Sequence, residues 1–209
     1  RNSFYNLNKA KRILEKNQIL VLPTETVYGL AGNAYSHKSV KKIYSLKKRP
    51  QKNPLIIHYY NLELLKKDAE YDKNFLRLYK KFSPGPLTYI LKKKKKSKVS
   101  KFANAKLKTI AVRFPKNKII RSLLKKLTFP LAIPSANIST GVSPTEPLDV
   151  VDEFKNKIKF ILNGGKSLIG LESTVINLSS KPAILRPGSI SHTQIEKVLG
   201  KKVSNVTKS

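Results

Sequence analysis

The spacing of apolar residues along the chain predicts helices and strands that are intermixed without internal repeats. Apolar residues three and four positions apart, as at Leu7, Ala10, Ile13 and Leu14, are typical of an amphipathic helix, whereas short apolar runs bounded by proline or glycine are typical of buried strands. These patterns predict helices over 6–18, 36–46, 72–82, 116–127 and 191–199, and strands over 19–22, 55–59, 87–91, 109–114, 131–134, 160–162, 174–178 and 184–186. Such mixing favours an α/β fold, an open twisted mixed sheet with flanking helices.

The polar segment after the first predicted strand is rich in hydroxyl groups. In open α/β sheets ligands bind beyond the carboxyl ends of strands, so the side chains of Thr24, Glu25, Thr26 and Tyr28 are candidate contacts. Gly29 would give a ligand access to the backbone. The alternative interpretation is a turn or helix start, capped by Thr24 or Thr26.

The composition limits the classes of protein to which the chain can belong. With 209 residues, 40% of them hydrophobic, it is long enough to bury a core in one large domain or two small ones. The absence of cysteine excludes disulfides, thiol catalysis and thiolate metal sites, and no apolar run is long enough to cross a membrane. We therefore expect a cytoplasmic protein without a membrane partner.

The formal net charge of +31 predicts attraction to RNA or to phosphate-bearing ligands. A second interpretation is compositional drift toward Lys, Asn and Ile, because only seven of the 43 basic residues are arginine and the lysines are spread along the chain. The pattern favours drift, although weak, salt-sensitive RNA binding follows from the charge under either interpretation. The five lysines at 92–96 are predicted to form a mobile, solvated loop between strands.

Six polar motifs each follow or close an apolar segment, namely PTETVYG, KKRPQKNP, TIAVR, SANISTGVSPT, GGKSLIGLEST and LRPG. Their hydroxyls, amides, cations and glycines suit a ligand that carries phosphates and a carboxylate. Arg113, within an apolar strand, must be paired or bound to a ligand, because a buried unpaired ion costs several kcal/mol. Two-metal hydrolysis is excluded because the 12 acidic residues and three histidines are scattered, and no GxxxxGK[ST] motif indicates a P-loop.

The order of these motifs resembles the YrdC-like family, the threonylcarbamoyl-AMP synthases that begin threonylcarbamoyladenosine synthesis at position 37 of tRNA. The resemblance covers about 13–190, from LPTETVYGLAGNA to ILRPGS, and six motifs in sequence order make it specific. It implies an open α/β fold around a deep, positively charged cleft. It also implies a single domain over 1–209, in the short form of the family without an extra C-terminal domain.

The resemblance implies an enzyme, a nucleotidyltransferase that converts L-threonine, bicarbonate or CO2, and ATP into threonylcarbamoyl-AMP and pyrophosphate. Magnesium is expected to arrive with ATP, because the sequence shows no acidic cage for it. The product would pass to the machinery that transfers the threonylcarbamoyl group to tRNA. The alternative function is an RNA-binding YrdC-like paralogue without synthase activity.

The motif positions imply one group of residues for the nucleotide and another for threonine, and no metal ligand. The implied nucleotide contacts are Lys47 and Arg49, which would also be catalytic, with Asn53, Thr109, Asn137, Ser143, Thr145 and Arg186. The implied threonine contacts are Thr26, His58, Arg113, Ser135 and Ser173, with Arg113 facing the carboxylate. Structural alternatives are a solvated lysine at Lys47, a satisfied strand-end histidine at His58 and a turn former at Asn137, with Ser173 as a cap.

Two positions depart from the family's pattern. Lys106 stands where a glycine is usual before the TIAVR strand, and Thr140 replaces a glycine that here follows at Gly141. Glycine tolerates a positive φ that lysine and threonine adopt less readily, so we expect altered loop geometry at both places.

Overall fold

The structure, a computed structural model, describes residues 3–139, 141–154 and 157–205. The helices in these ranges are α1 (Ser3–Glu15), α2 (His37–Lys47), α3 (Leu62–Leu65), α4 (Lys73–Phe82), α5 (Lys118–Lys125), α6 (Pro147–Phe154) and α7 (His192–Leu199). The strands are β1 (Leu20–Pro23), β2 (Tyr28–Asn33), β3 (Ile56–His58), β4 (Ala69–Glu70), β5 (Leu87–Lys93), β6 (Thr109–Arg113), β7 (Leu131–Ala132), β8 (Thr174–Asn177), β9 (Ala183–Arg186) and β10 (Ser204–Asn205). No helix in the described ranges has the length and apolar character needed to cross a bilayer.

These strands form one 10-stranded sheet in the order β1-β2-β7-β3-β6-β5-β8-β9-β10, and β4 pairs with β5 outside this path. The pairs β3–β6, β5–β8 and β9–β10 are parallel, whereas the other named pairs are antiparallel. The mixed α/β sheet with flanking helices that the apolar pattern predicts is therefore confirmed.

Successive side chains of β1 enter cores on opposite faces of the sheet, as the pleat of a strand requires. Leu20 and Leu22 pack with residues of α1 and α5, whereas Val21 belongs to the larger core that contains Val40 and Ile43 of α2. A strand covered on both faces reads as an uninterrupted apolar run, which is why the sequence reveals β1.

The segment LPTETVYGLA forms a hairpin of β1 and β2, so the interpretation as a turn is confirmed and that as a helix start is wrong. Pro23 pairs with Tyr28, so the four residues between them form the turn. Thr24 closes this turn, because its hydroxyl donates to the Val27 carbonyl at 2.7 Å and accepts from the Thr26 and Val27 amides at 3.2 Å. The sequence does not predict β2, because it contains two glycines and its nearly complete burial leaves no alternation of apolar and polar residues.

Other parts of the chain also differ from the predictions. The strand predicted over 160–162 is wrong, because there only an isolated bridge joins Ile161 to Val21. The run of lysines is not a loop throughout, since Lys92 and Lys93 lie in β5 and pair with β4. The apolar pattern also does not predict α3, α6, β4 and β10, which are short and carry little periodicity of their own.

The lysine that stands in place of the family's glycine adopts a backbone conformation that favours glycine. Ala105 and Lys106 have φ of 52° and 59°, and the Lys106 amide donates to the Lys101 carbonyl at 2.8 Å. A side chain in the left-handed region is unfavourable, so this turn carries local backbone strain. The second departure from the family's pattern, Thr140, lies outside the described residues.

Replacing Lys106 by glycine should stabilise the protein. Relief of the left-handed strain outweighs the larger unfolded-state entropy of glycine, so we expect the free energy of unfolding to rise by about 0.5–1 kcal/mol, measured by urea denaturation. The matched control is Lys108→Gly, at an exposed position without positive φ, where the same measurement should show a loss of about 0.5–1 kcal/mol. Equal losses in both variants would contradict the presence of strain at Lys106.

Candidate functional site

The sheet register brings residues from distant parts of the sequence into one row across five strands. Along this row His58 of β3 pairs with Arg113 of β6, Arg113 with Thr88 of β5, Thr88 with Val175 of β8, and Val175 with Arg186 of β9. Directly paired residues point to the same face of a sheet. Three of the predicted site residues, His58, Arg113 and Arg186, therefore point to the same face of the sheet.

Two adjoining cavities contain most of the predicted site residues. The arginine cavity is lined by Arg49 and Arg186 and by all the predicted threonine contacts, Thr26, His58, Arg113, Ser135 and Ser173. The loop cavity is lined by the predicted nucleotide contacts Asn137, Ser143 and Thr145. The segments 135–137 and 170–173 each contribute residues to both cavities, so the two cavities share these walls.

Three predicted nucleotide contacts, Lys47, Asn53 and Thr109, do not line either cavity. Asn53 is exposed, and its backbone carbonyl accepts from Nε of Arg49 at 3.0 Å. Thr109 begins β6 whereas Arg113 ends it, and four residues of an extended strand separate them by about 13 Å. The structure thus leaves Asn53 and Thr109 outside the two cavities.

The buried ammonium group of Lys47 is hydrogen-bonded to the segment 135–137, which forms part of the wall between the two cavities. The residue is 1% exposed, and Nζ donates to the carbonyl of Ser135 at 2.6 Å and to the carbonyl of Asn137. Burial, together with the charge of Arg49, lowers the pKa of Lys47 to about 8. Lys47 is therefore not the solvated lysine of the structural alternative. It also holds the backbone of the SAN motif in place.

Arg49 has no carboxylate within ion-pair distance among the described residues. Its Nε and Nη2 donate to the backbone carbonyls of Asn53 and Pro54 at 3.0 and 3.1 Å. A guanidinium carries five N–H groups, so three remain for a ligand. Arg49 lines the arginine cavity and brings to it a positive charge that no carboxylate neutralises.

Arg113 is 4% exposed and is paired inside the protein. Its Nη2 donates to Glu25 at 2.8 Å, Nη1 to Thr26 Oγ1 at 3.0 Å and Nε to the Gly85 carbonyl at 3.3 Å. Burial raises the pKa of Glu25, but the charge and hydrogen bond of Arg113 outweigh this and hold the pKa below its ordinary value. Pairing with Glu25 meets the requirement for a partner at Arg113, and two N–H groups remain for a ligand.

His58 presents an unpartnered ring nitrogen at the arginine cavity. Nδ1 lies 3.2 Å from the Ile56 carbonyl, so we assign the proton to Nδ1 and leave Nε2 as an acceptor. Nε2 is buried without a hydrogen-bond partner. Burial and the charge of Arg113 lower the pKa of His58 well below its ordinary value, so the imidazole is neutral. The structural alternative of a fully satisfied histidine is therefore wrong.

Asn137 both closes a turn and leaves an acceptor free. Nδ2 donates to the carbonyls of Ile138 and Gly141 at 2.8 and 2.7 Å, which fixes the orientation of the amide. Oδ1 is buried without a hydrogen-bond partner, and Asn137 lines the loop cavity. The free acceptor matches a ligand hydroxyl or amino group, because a phosphate oxygen without a proton cannot donate.

Ser173 and Arg186 meet where the two cavities adjoin. Ser173 precedes β8, so the alternative role as a helix cap is wrong, and its Oγ lies 2.7 Å from that of Thr88. Arg186 donates through Nε and Nη2 to the Ser173 carbonyl at 3.1 and 2.9 Å, and through Nη1 to Glu172. Sequence reasoning missed Glu172, although it is one of only 12 acidic residues and lies within the GLEST motif.

Four carboxylates lie at or beside the two cavities, namely Glu25, Glu172, Asp149 and Glu153. Among the described residues there is no group of three or more His, Asp or Glu side chains that could hold a metal ion. The two carboxylates nearest the arginines, Glu25 and Glu172, are each paired with one of them. The polar groups of the arginine cavity are mainly cations and hydroxyls, which suit an anion, whereas Asp149 and Glu153 bring carboxylates to the loop cavity.

Comparisons with known proteins relate most of the chain to one family. The Sua5/YciO/YrdC family model, described as telomere recombination, matches residues 12–188. The chain is 41% identical to a threonylcarbamoyl-AMP synthase of Pyrococcus abyssi, over 94% of this chain and 58% of the relative. It is 40% identical to a threonylcarbamoyl-AMP synthase of Bacillus subtilis, over 92% of this chain and 56% of the relative.

A solved structure gives the same result for the fold. The crystal structure of P. abyssi Sua5 complexed with L-threonine superposes with a TM-score of 0.92 at 40% identity, covering 96% of this chain and 59% of that one. The chain thus spans little more than half the length of these relatives. With a family model that matches most of its residues and an α/β fold shared with Sua5, the chain belongs to the Sua5/YciO/YrdC family.

Proposed function

We propose that this chain is an L-threonylcarbamoyladenylate synthase, which forms threonylcarbamoyl-AMP and pyrophosphate from L-threonine, bicarbonate or CO2, and ATP. The product would serve threonylcarbamoyladenosine modification of tRNA at position 37. The observation that carries the proposal is that all five implied threonine contacts line the arginine cavity together with Arg49 and Arg186, beside a loop cavity lined by three further nucleotide contacts, Asn137, Ser143 and Thr145. An amino acid joined to an adenylate has the same two-part shape.

The arginine cavity offers a complementary partner for each polar group of threonine. Two N–H groups of Arg113 remain after its internal hydrogen bonds and match the carboxylate. The free Nε2 of His58 can accept from the ammonium or the hydroxyl group. A neutral acceptor suits this role, because a charged imidazolium would repel the ammonium.

The proposed chemistry depends on positioning and needs no covalent enzyme intermediate. The ammonium of threonine first loses a proton to solvent. The neutral amine then adds to CO2 with release of a second proton, or condenses with bicarbonate with release of water, to give a carbamate, and a carbamate oxygen attacks the α-phosphorus of ATP in line as pyrophosphate leaves. Holding the carbamate and ATP next to each other removes much of the entropic part of the barrier to their reaction. The charges of Lys47 and Arg49, and that of Arg186 once a phosphate replaces its carboxylate partner, would stabilise the negative charge that develops on the phosphoryl oxygens.

The remaining parts of the proposal concern the metal and the partners. Magnesium bound to the ATP phosphates would supply further charge neutralisation, and no step assigned to this chain depends on a metal ion held by the protein. The labile product passes to the machinery that transfers the threonylcarbamoyl group to tRNA in the cytoplasm. Weak, salt-dependent binding of RNA is part of the proposal and is supported by the net charge of +31.

Calorimetry with amino acids tests the threonine cavity. We expect wild-type protein to bind threonine in preference to serine by about tenfold, the discrimination that one methyl group provides in a fitted pocket. His58→Leu removes the acceptor at similar volume and should weaken threonine binding by about tenfold. The control His37→Leu, at an exposed position on α2, should bind as wild type does. Unchanged threonine affinity in His58→Leu would remove His58 from the site.

Arginine replacement tests the proposed phosphoryl chemistry. We expect Arg49→Ala to lower kcat/KM for threonine-dependent pyrophosphate release by about 10²–10³, as loss of a preorganised charge donor does elsewhere. The fold should persist, because Arg49 neutralises no carboxylate among the described residues. Arg12→Ala makes the same charge change at an exposed position of α1 and should retain wild-type turnover. Wild-type turnover in Arg49→Ala would refute the assignment.

Lys47 should impose a pH dependence on ATP binding. Its pKa of about 8 means that the ammonium loses its charge at mildly alkaline pH. We therefore expect the affinity for ATP, measured without divalent cations, to fall as the pH rises from about 7 to about 9, where ATP itself stays fully ionised. Lys47→Gln keeps an N–H donor for the Ser135 carbonyl, and its weaker binding should not change over this range. A parallel fall in the variant would assign the titration to another group.

A further inference from the structure

Glu172 places a negative charge where the proposed nucleotide would pass between the two cavities. It lines the arginine cavity beside Arg49, and its carboxylate accepts from Ser143, a residue of the loop cavity, at 3.4 Å. A triphosphate that follows this path would meet the Glu172 carboxylate directly. Two anions in contact repel each other, so Glu172 cannot keep this position when a phosphate binds there.

The contacts of Arg186 show which group would be released. Nε and Nη2 are anchored to the carbonyl of Ser173 at 3.1 and 2.9 Å, and Nη2 also donates to Ser173 Oγ at 3.1 Å. Nη1 donates to Glu172. If the carboxylate leaves, the guanidinium therefore stays oriented by Ser173 and gains a free N–H group. The side chains of Arg186 and Glu172 are 36% and 40% exposed, so the carboxylate can move into solvent.

Glu172 also moderates the positive charge of the surrounding cluster. The charge of Glu172 raises the pKa of Lys47, whereas burial and the charge of Arg49 lower it. It also raises the pKa of Arg186, which burial lowers. The second carboxylate near the arginines, Glu25, is held by Arg113 and by the amide of Asn117 and is 6% exposed. Of these two carboxylates, Glu172 is the one free to exchange partners.

We propose that Glu172 is an internal competitor for phosphate, which occupies Arg186 in the ligand-free protein and yields it to the nucleotide. This inference rests on the proposed function, because it assumes that a phosphate group reaches Arg186. It makes Glu172 a determinant of anion affinity and not a phosphate contact. Weakly charged anions would displace it less readily than a polyphosphate, so the exchange favours the nucleotide over small anions.

Binding of inorganic pyrophosphate, measured by calorimetry at low ionic strength with a chelator present, tests the exchange. Glu172→Gln removes the competing charge and should bind pyrophosphate about three- to tenfold more tightly than wild type, the range expected for a partly exposed ion pair. Glu146→Gln makes the same charge change at a residue whose side chain is 43% exposed and pairs with Lys166, and it should stay within about twofold of wild type. A gain in affinity cannot arise from damage to the fold.

A double-mutant cycle shows whether the gain acts through Arg186. In an Arg186→Gln background, adding Glu172→Gln should give no further gain in affinity for pyrophosphate, because the guanidinium for which Glu172 and phosphate compete is absent. Unchanged or weaker binding in Glu172→Gln, a matching gain in Glu146→Gln, or a gain that persists without Arg186 would each overturn the inference. If wild-type protein binds neither pyrophosphate nor ATP, the proposed function itself fails and this inference fails with it. Wild-type binding without a gain in Glu172→Gln refutes the exchange alone.

Discussion

A buried arginine on a central strand constrains the whole site. Arg113 lies on β6 between β3 and β5, where an unpaired guanidinium would cost several kcal/mol. Glu25 neutralises it, and Thr26 accepts a second hydrogen bond from it. The turn of the β1–β2 hairpin must therefore fold over the end of the sheet. Glu25 also accepts from the amide of Asn117, which caps α5, so one ion pair fixes a turn, a strand and a helix start.

In the part of the chain that the structure describes, two of the four cations at the site are neutralised by a carboxylate, and the other two are not. Arg113 and Arg186 are each paired with a carboxylate, whereas Lys47 and Arg49 are held by backbone carbonyls. Carbonyl oxygens satisfy N–H donors without cancelling their charge, and a buried ammonium therefore has a lowered pKa. Arg49 therefore brings to the arginine cavity a positive charge that no carboxylate among the described residues neutralises, and Lys47 lies buried beside it.

The sequence predicts the elements whose signals are local and misses those that depend on distant partners. The sequence predicts α2 and α4 from their own apolar spacing, and the structure adds a local cap to each, because Ser36 and Asp72 accept from the amide three residues on. β2 is missed because its strand character comes from pairing with β1 and β7 and not from its own glycine-containing sequence. The same limit applies to the site. Motifs identify His58 and Arg113 as polar residues at strand ends, but their adjacency follows from the register of β3 and β6, which no local pattern encodes.

Close packing explains why two positions of the motifs are occupied by glycine. A Cβ at Gly188, in the LRPG motif, would lie 2.4 Å from the Thr174 amide and 2.6 Å from the Glu172 carbonyl, so only glycine lets the chain after β9 pack against the GLEST segment. That packing sets Arg186 against Ser173. Gly29 acts in the same way, because a Cβ there would lie 2.2 Å from a methyl carbon of Ile133, beside the segment that leads to Ser135. Gly29 and Gly188 therefore allow the close packing that positions charged and hydroxyl groups of the site. A larger residue at either place would displace groups that lie far from it in the sequence.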